Sequence, residues 1–338
     1  MFANHFKTNR NRLMIKNGDR NNFSSNKENE KCPRALIDGT PTSSPSPRSD
    51  RCRESVAELP EQILNLLRTK QFVLIGYINQ GSTSIVYKVQ RFDQYFAAKI
   101  IDRLRISDLN RKIFLPNEIR ISKQIHHPNI VATEEIIESF RYTIIINEYA
   151  TDGDLVTLME RNERPPLTTI KRWITEIVQA LHYLHSKGIA HLDIKADNIL
   201  LCDGVAKLCD FTYAQYCRDP STQEIILSTN FCGTIEYKAP ETLFCNKPYN
   251  PLIADCFSLG VLIYTMLTYE FPFGFGPELR TPEGLQKLHE EICHKNWSLN
   301  DDLENDRRLY SLLRQLLNPD IDERITIEQV IHHPWFIG

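Results

Sequence analysis

The chain has 338 residues, of which 41% are hydrophobic and 25% charged; this suits one large or two ordinary globular domains and excludes a mini-protein, a fibrous repeat and wholesale disorder. Its formal net charge of −3 gives no signature of nucleic-acid binding. Nine cysteines, an odd number without CxxC pairs, predict reduced thiols, and hence the cytoplasm or the nucleus, rather than a disulfide framework or a zinc site.

Residues 1–60 form a basic tail, which we expect to be disordered. They hold 11 Lys or Arg residues against 7 acidic residues, are rich in Asn, Ser and Pro, and show no hydrophobic periodicity. The N-terminus has no apolar h-region of a secretory signal and resembles a transit peptide only in its basic charge. The most apolar run, Ser258–Leu267, is shorter than a membrane span, so no association with a membrane is expected.

The first half of the remaining chain predicts a sheet with one internal helix. A short helix is predicted to begin at Pro60, and Leu109–Gln124 predicts a second one, in which Pro116 suits the early turns better than the middle. Five β-type runs are separated by turn residues: Phe72–Asn79, Ser84–Gln90, Gln94–Ile101, Ile130–Glu138 and Tyr142–Glu148.

From Asp154 onwards the pattern is helical. One helix is predicted with Thr168 or Thr169 as its N-cap, with apolar residues at helical spacing, and with an end at Lys187 and Gly188. Strands first and helices afterwards predict two segregated lobes in an α+β arrangement.

The turn between the first two strands lies where a glycine-rich loop over nucleotide phosphates would be. Gly81 is present, but Asn79 and Ser84 occupy positions where two further glycines are usual, and alone the segment is an ordinary β-turn. Considered by itself, Lys99 of the third strand would be interpreted as a lysine on the solvent-exposed face of the strand. Paired with Glu118 of the following helix, it could form the ion pair that holds the α- and β-phosphates.

The segment His191–Asn198, HLDIKADN, matches the catalytic-loop pattern HRDxKxxN at all but one fixed position. In that chemistry an aspartate accepts the proton of the substrate hydroxyl, a lysine neutralises the γ-phosphate and an asparagine reaches a metal ion. Asp193, Lys195 and Asn198 are the candidates for these roles. Asp210 follows 12 residues after Asn198, as a metal-binding aspartate should.

Two further signals predict structural contacts. Gly233–Glu241, GTIEYKAPE, reproduces the end of an activation segment, and Asp255 opens a predicted buried helix. We expect Asp255 to anchor the backbone of the catalytic loop and Glu241 to pair with Arg324. Neither contact touches the substrate.

With these motifs in this order, Phe72–Phe336 resembles a eukaryotic protein kinase of the serine/threonine class, and its end, His333–Phe336, is most similar to calmodulin-dependent and related kinases. The resemblance implies a bilobal fold, with a small β-rich N-lobe over 72–148 and a larger helical C-lobe over 154–336. It also implies transfer of the γ-phosphate of ATP to protein serine or threonine with the help of Mg²⁺.

The resemblance also assigns the site position by position. Asp193 and Lys195 are the catalytic pair, and Asn198 and Asp210 hold the metal. Adenine is expected on the backbone from Glu148 to Ala150, behind Asn147. The positions expected to line the nucleotide site are Ile78, Asn79, Gly81, Ser84, Val86, Ala97, Lys99, Glu118, Glu148, Ala150 and Asp154.

Three departures from the family pattern keep other functions open, and the first is the loss of two glycines from the phosphate loop, at Asn79 and Ser84, which weakens the expectation of tight ATP binding. Leu192 replaces the arginine of HRD, so a phosphate on the activation segment loses its usual partner. Thr212 replaces the glycine of DFG, and a positive φ there would cost about 1–3 kcal/mol. The alternatives are a pseudokinase that scaffolds a partner without transferring phosphate, and a switch that only senses ATP.

Partner predictions rest on short features. Asp154 and Asp197 occupy family positions where acids attract basic residues upstream of the phosphoacceptor; alternatively, they serve only the ribose and the fold of the catalytic loop. Lys27–Asn29 spells the KEN degron of the anaphase-promoting complex, a ubiquitin ligase, and three Ser/Thr-Pro pairs follow in the tail. These motifs suggest cell-cycle control, and the alternative is an inert linker.

Overall fold

Helix α1 (Glu61–Thr69) opens the part of the chain that the structure, a computed structural model, describes. The described residues are 59–337, apart from 162, 245 and 246. Pro60 is the N-cap of α1, and Ile63 and Leu67 bury the apolar face of the helix against the sheet that follows. Apart from its last two residues, the predicted tail lies outside the described residues.

Five antiparallel strands form the sheet of the N-lobe, in the spatial order β1-β2-β3-β5-β4. They are β1 (Val73–Gln80), β2 (Ile85–Arg91), β3 (Gln94–Asp102), β4 (Thr133–Glu138) and β5 (Tyr142–Glu148). All five predicted strands are confirmed, although the fourth begins three residues later than expected. Because successive side chains alternate between faces, Tyr87 and Phe96 pack on the α1 side, whereas Val86, Ala97 and Lys99 lie on the opposite face.

The helix after β3 begins differently from the prediction. A π-helical segment over Asn110–Phe114 leads without a break into the regular helix α2 (Leu115–Ser122), so the single helix predicted over Leu109–Gln124 is confirmed, although it ends two residues earlier and its first part is π-helical. Pro116 follows the π-helical segment directly, and the amide of the preceding residue, Leu115, donates to the carbonyl oxygen of Asn110, five residues earlier. A small apolar cluster with β3 and β5 fixes α2 on the inner face of the sheet.

The C-lobe is mainly helical, which confirms the α+β arrangement with two lobes. Its helices are α3 (Leu155–Glu160), α4 (Leu167–Ser186), α5 (Pro251–Thr268), α6 (Pro282–Cys293), α7 (Asp301–Glu304), α8 (Arg307–Leu316), α9 (Ile327–Val330) and α10 (Pro334–Ile337). Its short strands are β6 (Gly153–Asp154), β7 (Ile189–Ala190), β8 (Ile199–Cys202), β9 (Val205–Leu208) and β10 (Gln215–Tyr216). Strands β6, β8 and β9 form one small sheet, and β10 pairs with β7.

Helix α4 starts earlier than predicted. Its N-cap is Pro166, so the prediction of Thr168 or Thr169 as the N-cap is wrong. No side chain caps this start, and the amides of Thr169 and Ile170 donate to the carbonyl oxygen of Pro166. The predicted end is confirmed, because Gly188 follows Lys187 with φ of +67°, a left-handed conformation that glycine adopts without steric cost.

Helix α5 is the centre of the C-lobe core. Its 18 residues include the run Ser258–Leu267, and by length and composition the helix could cross a membrane, but 83% of it is buried inside the domain. A central core helix has the same apolar composition. Gly260 lies where α8 approaches α5, since a Cβ there would be 2.8 Å from the Cβ of Leu316.

Candidate active site

The catalytic loop is anchored from below by Asp255 of α5. The two carboxylate oxygens of Asp255 accept hydrogen bonds from the backbone amides of His191 and Leu192, each at 2.7 Å, and one of them lies 3.1 Å from Nε2 of His185. The predicted anchoring role is therefore confirmed. These contacts hold Leu192 at a φ of +62°, so the loop presents Asp193 in a fixed place.

Asp193 is the centre of a polar cluster at the end of the cleft. Its Oδ1 accepts from Thr234 Oγ1 at 2.8 Å. Its Oδ2 lies 2.9 Å from Lys195 Nζ and accepts from Asn198 Nδ2 at 3.1 Å. The three residues predicted from the loop are thus brought together. The sequence did not predict Thr234 as the fourth member, which also accepts from Lys195 Nζ at 2.8 Å.

The charge of Lys195 is secured by its neighbours. Desolvation lowers the pKa of Lys195, but the carboxylates of Asp193 and Asp197 outweigh it and hold the pKa above its ordinary value. The ammonium group is therefore charged at neutral pH, as neutralisation of a transferred phosphate requires.

A second charged cluster, the Lys99 cluster, joins the two lobes through Lys99 of β3, Glu118 of α2, Asp210 and Thr212. Lys99 Nζ lies 2.5 Å from Glu118 Oε1 and 2.8 Å from Asp210 Oδ1, which confirms the predicted ion pair. Desolvation opposes both charges, but the two carboxylates raise the pKa of Lys99, and Lys99 holds the pKa of Asp210 far below its ordinary value. The lysine and the aspartate are therefore both ionised at neutral pH.

Thr212 enters this cluster in a way that the sequence did not predict. Thr212 does not adopt the positive φ that would be costly for it, because the left-handed residue here is Asp210, with φ of +65°. Thr212 Oγ1 accepts a hydrogen bond from Lys99 Nζ at 2.7 Å and donates one to Asp210 Oδ1 at 2.6 Å.

The phosphate-loop candidate is a turn between β1 and β2. The amide of Gly81 donates to Ser84 O at 2.9 Å, and Asn79 Oδ1 accepts from the amide of Gln80 at 2.8 Å. Ile78, Asn79 and Gly81 are exposed, so the turn is open to solvent. A loop of this kind binds phosphates through its backbone amides, so binding here stays a prediction.

The segment after β5 links the lobes at the position expected for adenine. Glu148 Oε1 accepts from the amide of Ala132 at 2.7 Å, and Glu148 Oε2 accepts from Lys207 Nζ of β9 at 2.6 Å. Asn147, behind it, accepts from Thr133 Oγ1 at 3.0 Å. The side chain of Glu148 therefore ties the lobes together, and adenine recognition by the backbone from Glu148 to Ala150 stays a prediction.

The two acids predicted at the mouth of the cleft are neighbours. Asp154 is the N-cap of α3, and its Oδ1 accepts from the amide of Thr157 at 2.7 Å. Asp197 reaches solvent from the turn of the catalytic loop. Desolvation and the charge of Asp154 both raise the pKa of Asp197, whereas Lys195 lowers it.

The donor set suits Mg²⁺ bound together with ATP. Carboxylate and amide oxygens are the ligands that Mg²⁺ prefers, and it needs only one or two of them when phosphates supply the rest. Asp210 can offer its Oδ2, and Asn198, which uses its Nδ2 for Asp193, can offer its Oδ1. Within 59–337, apart from 162, 245 and 246, no three His, Cys, Asp or Glu side chains form a separate metal cluster.

Comparison with known proteins agrees with this geometry. Residues 72–336 match the protein kinase domain family. The probable serine/threonine-protein kinase MARK-A of Dictyostelium discoideum is 31% identical over 262 residues, 77% of this chain and 23% of that protein. Testis-specific serine/threonine-protein kinase 1 of Mus musculus is 30% identical over 275 residues, 80% of this chain and 73% of that protein. CBL-interacting serine/threonine-protein kinase 8 of Arabidopsis thaliana is 33% identical over 246 residues, 71% of this chain and 51% of that protein. The chain thus spans about a quarter of the first relative and about half of the third.

Proposed function

Because this chain belongs to the protein kinase family and is a serine/threonine protein kinase that uses ATP with Mg²⁺, we propose that it phosphorylates proteins with basic residues, arginine above all, upstream of the acceptor. The observation that supports this preference is the pair of neighbouring carboxylates, Asp154 and Asp197, beside the Asp193 cluster.

The geometry assigns a task to each side chain. Phosphoryl transfer needs positioning and charge neutralisation more than covalent chemistry. Asp193 would accept the hydroxyl proton, Lys195 would neutralise the transferred phosphate, and Lys99 would hold the α- and β-phosphates. Asp210 and Asn198 would hold Mg²⁺, which would supply positive charge to offset that of the phosphates.

A non-catalytic scaffold is the alternative that the substitutions at Leu192 and Thr212 left open. The assembled contacts favour catalysis, because a scaffold needs neither the Asp193 cluster nor the Lys99 cluster. All six side chains required for transfer are present and in mutual contact within these clusters: Lys99, Glu118, Asp193, Lys195, Asn198 and Asp210.

A peptide library phosphorylated with Mg-ATP tests the substrate preference. We expect enrichment of arginine two or three residues before the acceptor, since its forked guanidinium can meet two carboxylates. Asp197→Ala should reduce this enrichment by about threefold to tenfold, which allows for solvent screening of an exposed acid. Asp93→Ala, an exposed acid in the turn between β2 and β3, is the control. A preference for proline or acidic residues would contradict the proposal.

Apolar and aromatic contacts hold the activation segment in place. In the family pattern, an arginine at the position of Leu192 would instead bind a phosphate on this segment. Leu192 and Ile225 pack on a small buried cluster formed by Ala190, Cys217 and Leu252. This cluster fastens the segment to β7 and to the start of α5.

A second contact fastens the activation segment to α2 directly. Tyr216 of β10 donates its hydroxyl hydrogen to Gln124 Oε1 at 2.6 Å. The guanidinium carbon of Arg120 lies 4.3 Å from the centre of the Tyr216 ring. We therefore propose that the segment is ordered without phosphorylation.

Removal of phosphate is expected to leave activity within about threefold of the untreated enzyme, because Leu192 offers a phosphate no ion pair. The measurement compares phosphatase-treated enzyme, and a variant with alanine at the exposed Ser221, Thr222 and Thr229, with untreated wild type. Ser228 is buried. Tyr216→Ala, which removes the contact to α2, should lower activity more than either. Loss of activity on dephosphorylation, restored by phosphate at one of these four residues, would refute the proposal.

The remaining proposals concern the tail and the cell. Lys27–Asn29 lies outside the described residues, and we propose it as a recognition site for a ubiquitin ligase on its sequence alone. A role in cell-cycle or signalling control, and a location in the cytoplasm or the nucleus, are proposed on the same basis.

A further inference from the structure

We propose that Thr212 is a positioning residue, whose hydroxyl holds Asp210 by one carboxylate oxygen and so directs the other oxygen to the metal that accompanies ATP. The inference rests on the proposed phosphoryl transfer for its purpose, but its geometry stands by itself. Glycine, which the family pattern has at this position, carries no group that could do this.

The hydrogen bonds of Asp210 are concentrated on one atom. Its Oδ1 accepts from Lys99 Nζ at 2.8 Å, from Thr212 Oγ1 at 2.6 Å and from the amide of Thr212 at 3.2 Å. In the part of the chain that the structure describes, no donor reaches its Oδ2. One oxygen is therefore fixed by the protein, and the other is available to a cation.

The direction of the Thr212 hydrogen bond follows from the surrounding charges. The hydroxyl has one hydrogen, and Lys99 can only donate, so the hydroxyl accepts from Lys99 and gives its hydrogen to a carboxylate. Asp210 Oδ1 lies 2.6 Å from Thr212 Oγ1, whereas Glu118 Oε2 lies 3.5 Å away. The hydrogen therefore goes to Asp210, and Thr212 links the lysine and the aspartate.

The strength of this link decides whether it matters for function. Hydrogen bonds with an ionised partner are about twice as strong as neutral ones, and this hydroxyl has ionised partners on both sides. Threonine is stiff at χ1, so its hydroxyl is held in place more firmly than that of serine. Loss of a hydrogen bond to a metal-binding group typically reduces metal affinity by about tenfold to a hundredfold.

The test measures how nucleotide binding depends on Mg²⁺, by calorimetric titration of ADP into the full chain at a series of Mg²⁺ concentrations. For Thr212→Val, which has the same shape and no hydroxyl, we expect the Mg²⁺ midpoint to rise by about tenfold or more. Thr212→Ser, which retains the hydroxyl, should stay within about threefold of wild type, and Thr212→Gly should behave like the valine variant.

Thr143→Val is the matched control. Thr143 is fully buried in β5, and among the residues that the structure describes its hydroxyl has no hydrogen-bond partner, so the same chemical change there should leave the Mg²⁺ midpoint unchanged. An unshifted midpoint in Thr212→Val, or a serine variant that matches the valine variant, would overturn the inference. So would wild-type binding that does not depend on Mg²⁺.

Parallel kinase assays separate this inference from the proposed function. If wild type transfers phosphate and Thr212→Val keeps the wild-type midpoint, the role of Thr212 is refuted and the function stands. If wild type transfers no phosphate but the Mg²⁺ midpoint of Thr212→Val is still raised relative to wild type, the function is refuted and the role of Thr212 stands.

Discussion

Asp193→Asn is expected to lower kcat for peptide phosphorylation by about 10²-fold to 10⁴-fold, the range for loss of a positioned general base. Asparagine has nearly the same shape, but its amide cannot take up the proton of the substrate hydroxyl. The backbone contact from Asn198 Nδ2 to Asp193 O, at 2.8 Å, does not involve the altered carboxylate. The fold and ATP binding should therefore survive, and the loss should fall on kcat.

The measurement is steady-state phosphorylation of a serine peptide, together with ADP binding and thermal unfolding of each protein. Asp93→Asn makes the same change at an exposed residue in the turn between β2 and β3, outside the clusters of the site, and should match wild type. If wild type and Asp193→Asn are equally inactive with Mg²⁺ or Mn²⁺ while both bind nucleotide, the scaffold alternative is the correct one.

The parts of the site that were predicted from the sequence are those set by spacing along the chain. Asp193, Lys195 and Asn198 share one loop, and their contacts follow from its conformation. Lys99 and Glu118 come from a strand and the helix that follows it along the chain, so their pairing requires only that these two consecutive elements pack together.

The contacts that were missed depend on segments that meet only after folding. Thr234 reaches Asp193 across 41 residues, and Thr212 reaches Lys99 across 113 residues. One local signal for Thr212 existed, because threonine and aspartate two residues apart often hydrogen-bond through backbone and side chain. From the sequence, position 212 was notable only because the glycine of the family pattern is absent. In the structure, the Thr212 hydroxyl bonds to Lys99 and Asp210.

The cost of a positive φ at Thr212 does not arise in the structure, for a related reason. The left-handed residues of the site are Leu192 and Asp210, each held by hydrogen bonds from other parts of the fold. A backbone conformation of this kind is decided by the tertiary contacts around it, and the identity of the residue two positions later reveals little about it.

The second large effect expected is on stability: Arg324→Met should reduce the free energy of unfolding by about 3–5 kcal/mol. The Arg324 side chain is fully buried, and its two terminal nitrogens donate to the two oxygens of Glu241 at 2.6 and 3.0 Å. The predicted pair is thus confirmed as a bidentate one. Methionine fills similar space but leaves a nearly buried carboxylate without its partner.

A surface ion pair and a double variant give this prediction its controls. Arg172→Met breaks a half-exposed pair with Glu176 within α4 and should cost less than about 1 kcal/mol. Removing Glu241 as well, as Glu241→Gln with Arg324→Met, should recover part of the loss because no charge is then left buried. Equal urea midpoints for Arg324→Met and Arg172→Met would contradict the prediction.

Arg324 also connects the end of the activation segment to the start of α5. Its guanidinium donates to the carbonyl oxygen of Ile253 at 3.2 Å, two residues before the Asp255 that anchors the catalytic loop, while Glu241 closes the activation segment. Because Arg324 touches no reacting group, Arg324→Met should lower the temperature at which activity is lost and leave kcat of the folded enzyme unchanged. A fall in kcat at a temperature where the variant is fully folded would show that the pair positions the catalytic loop as well as stabilising the lobe.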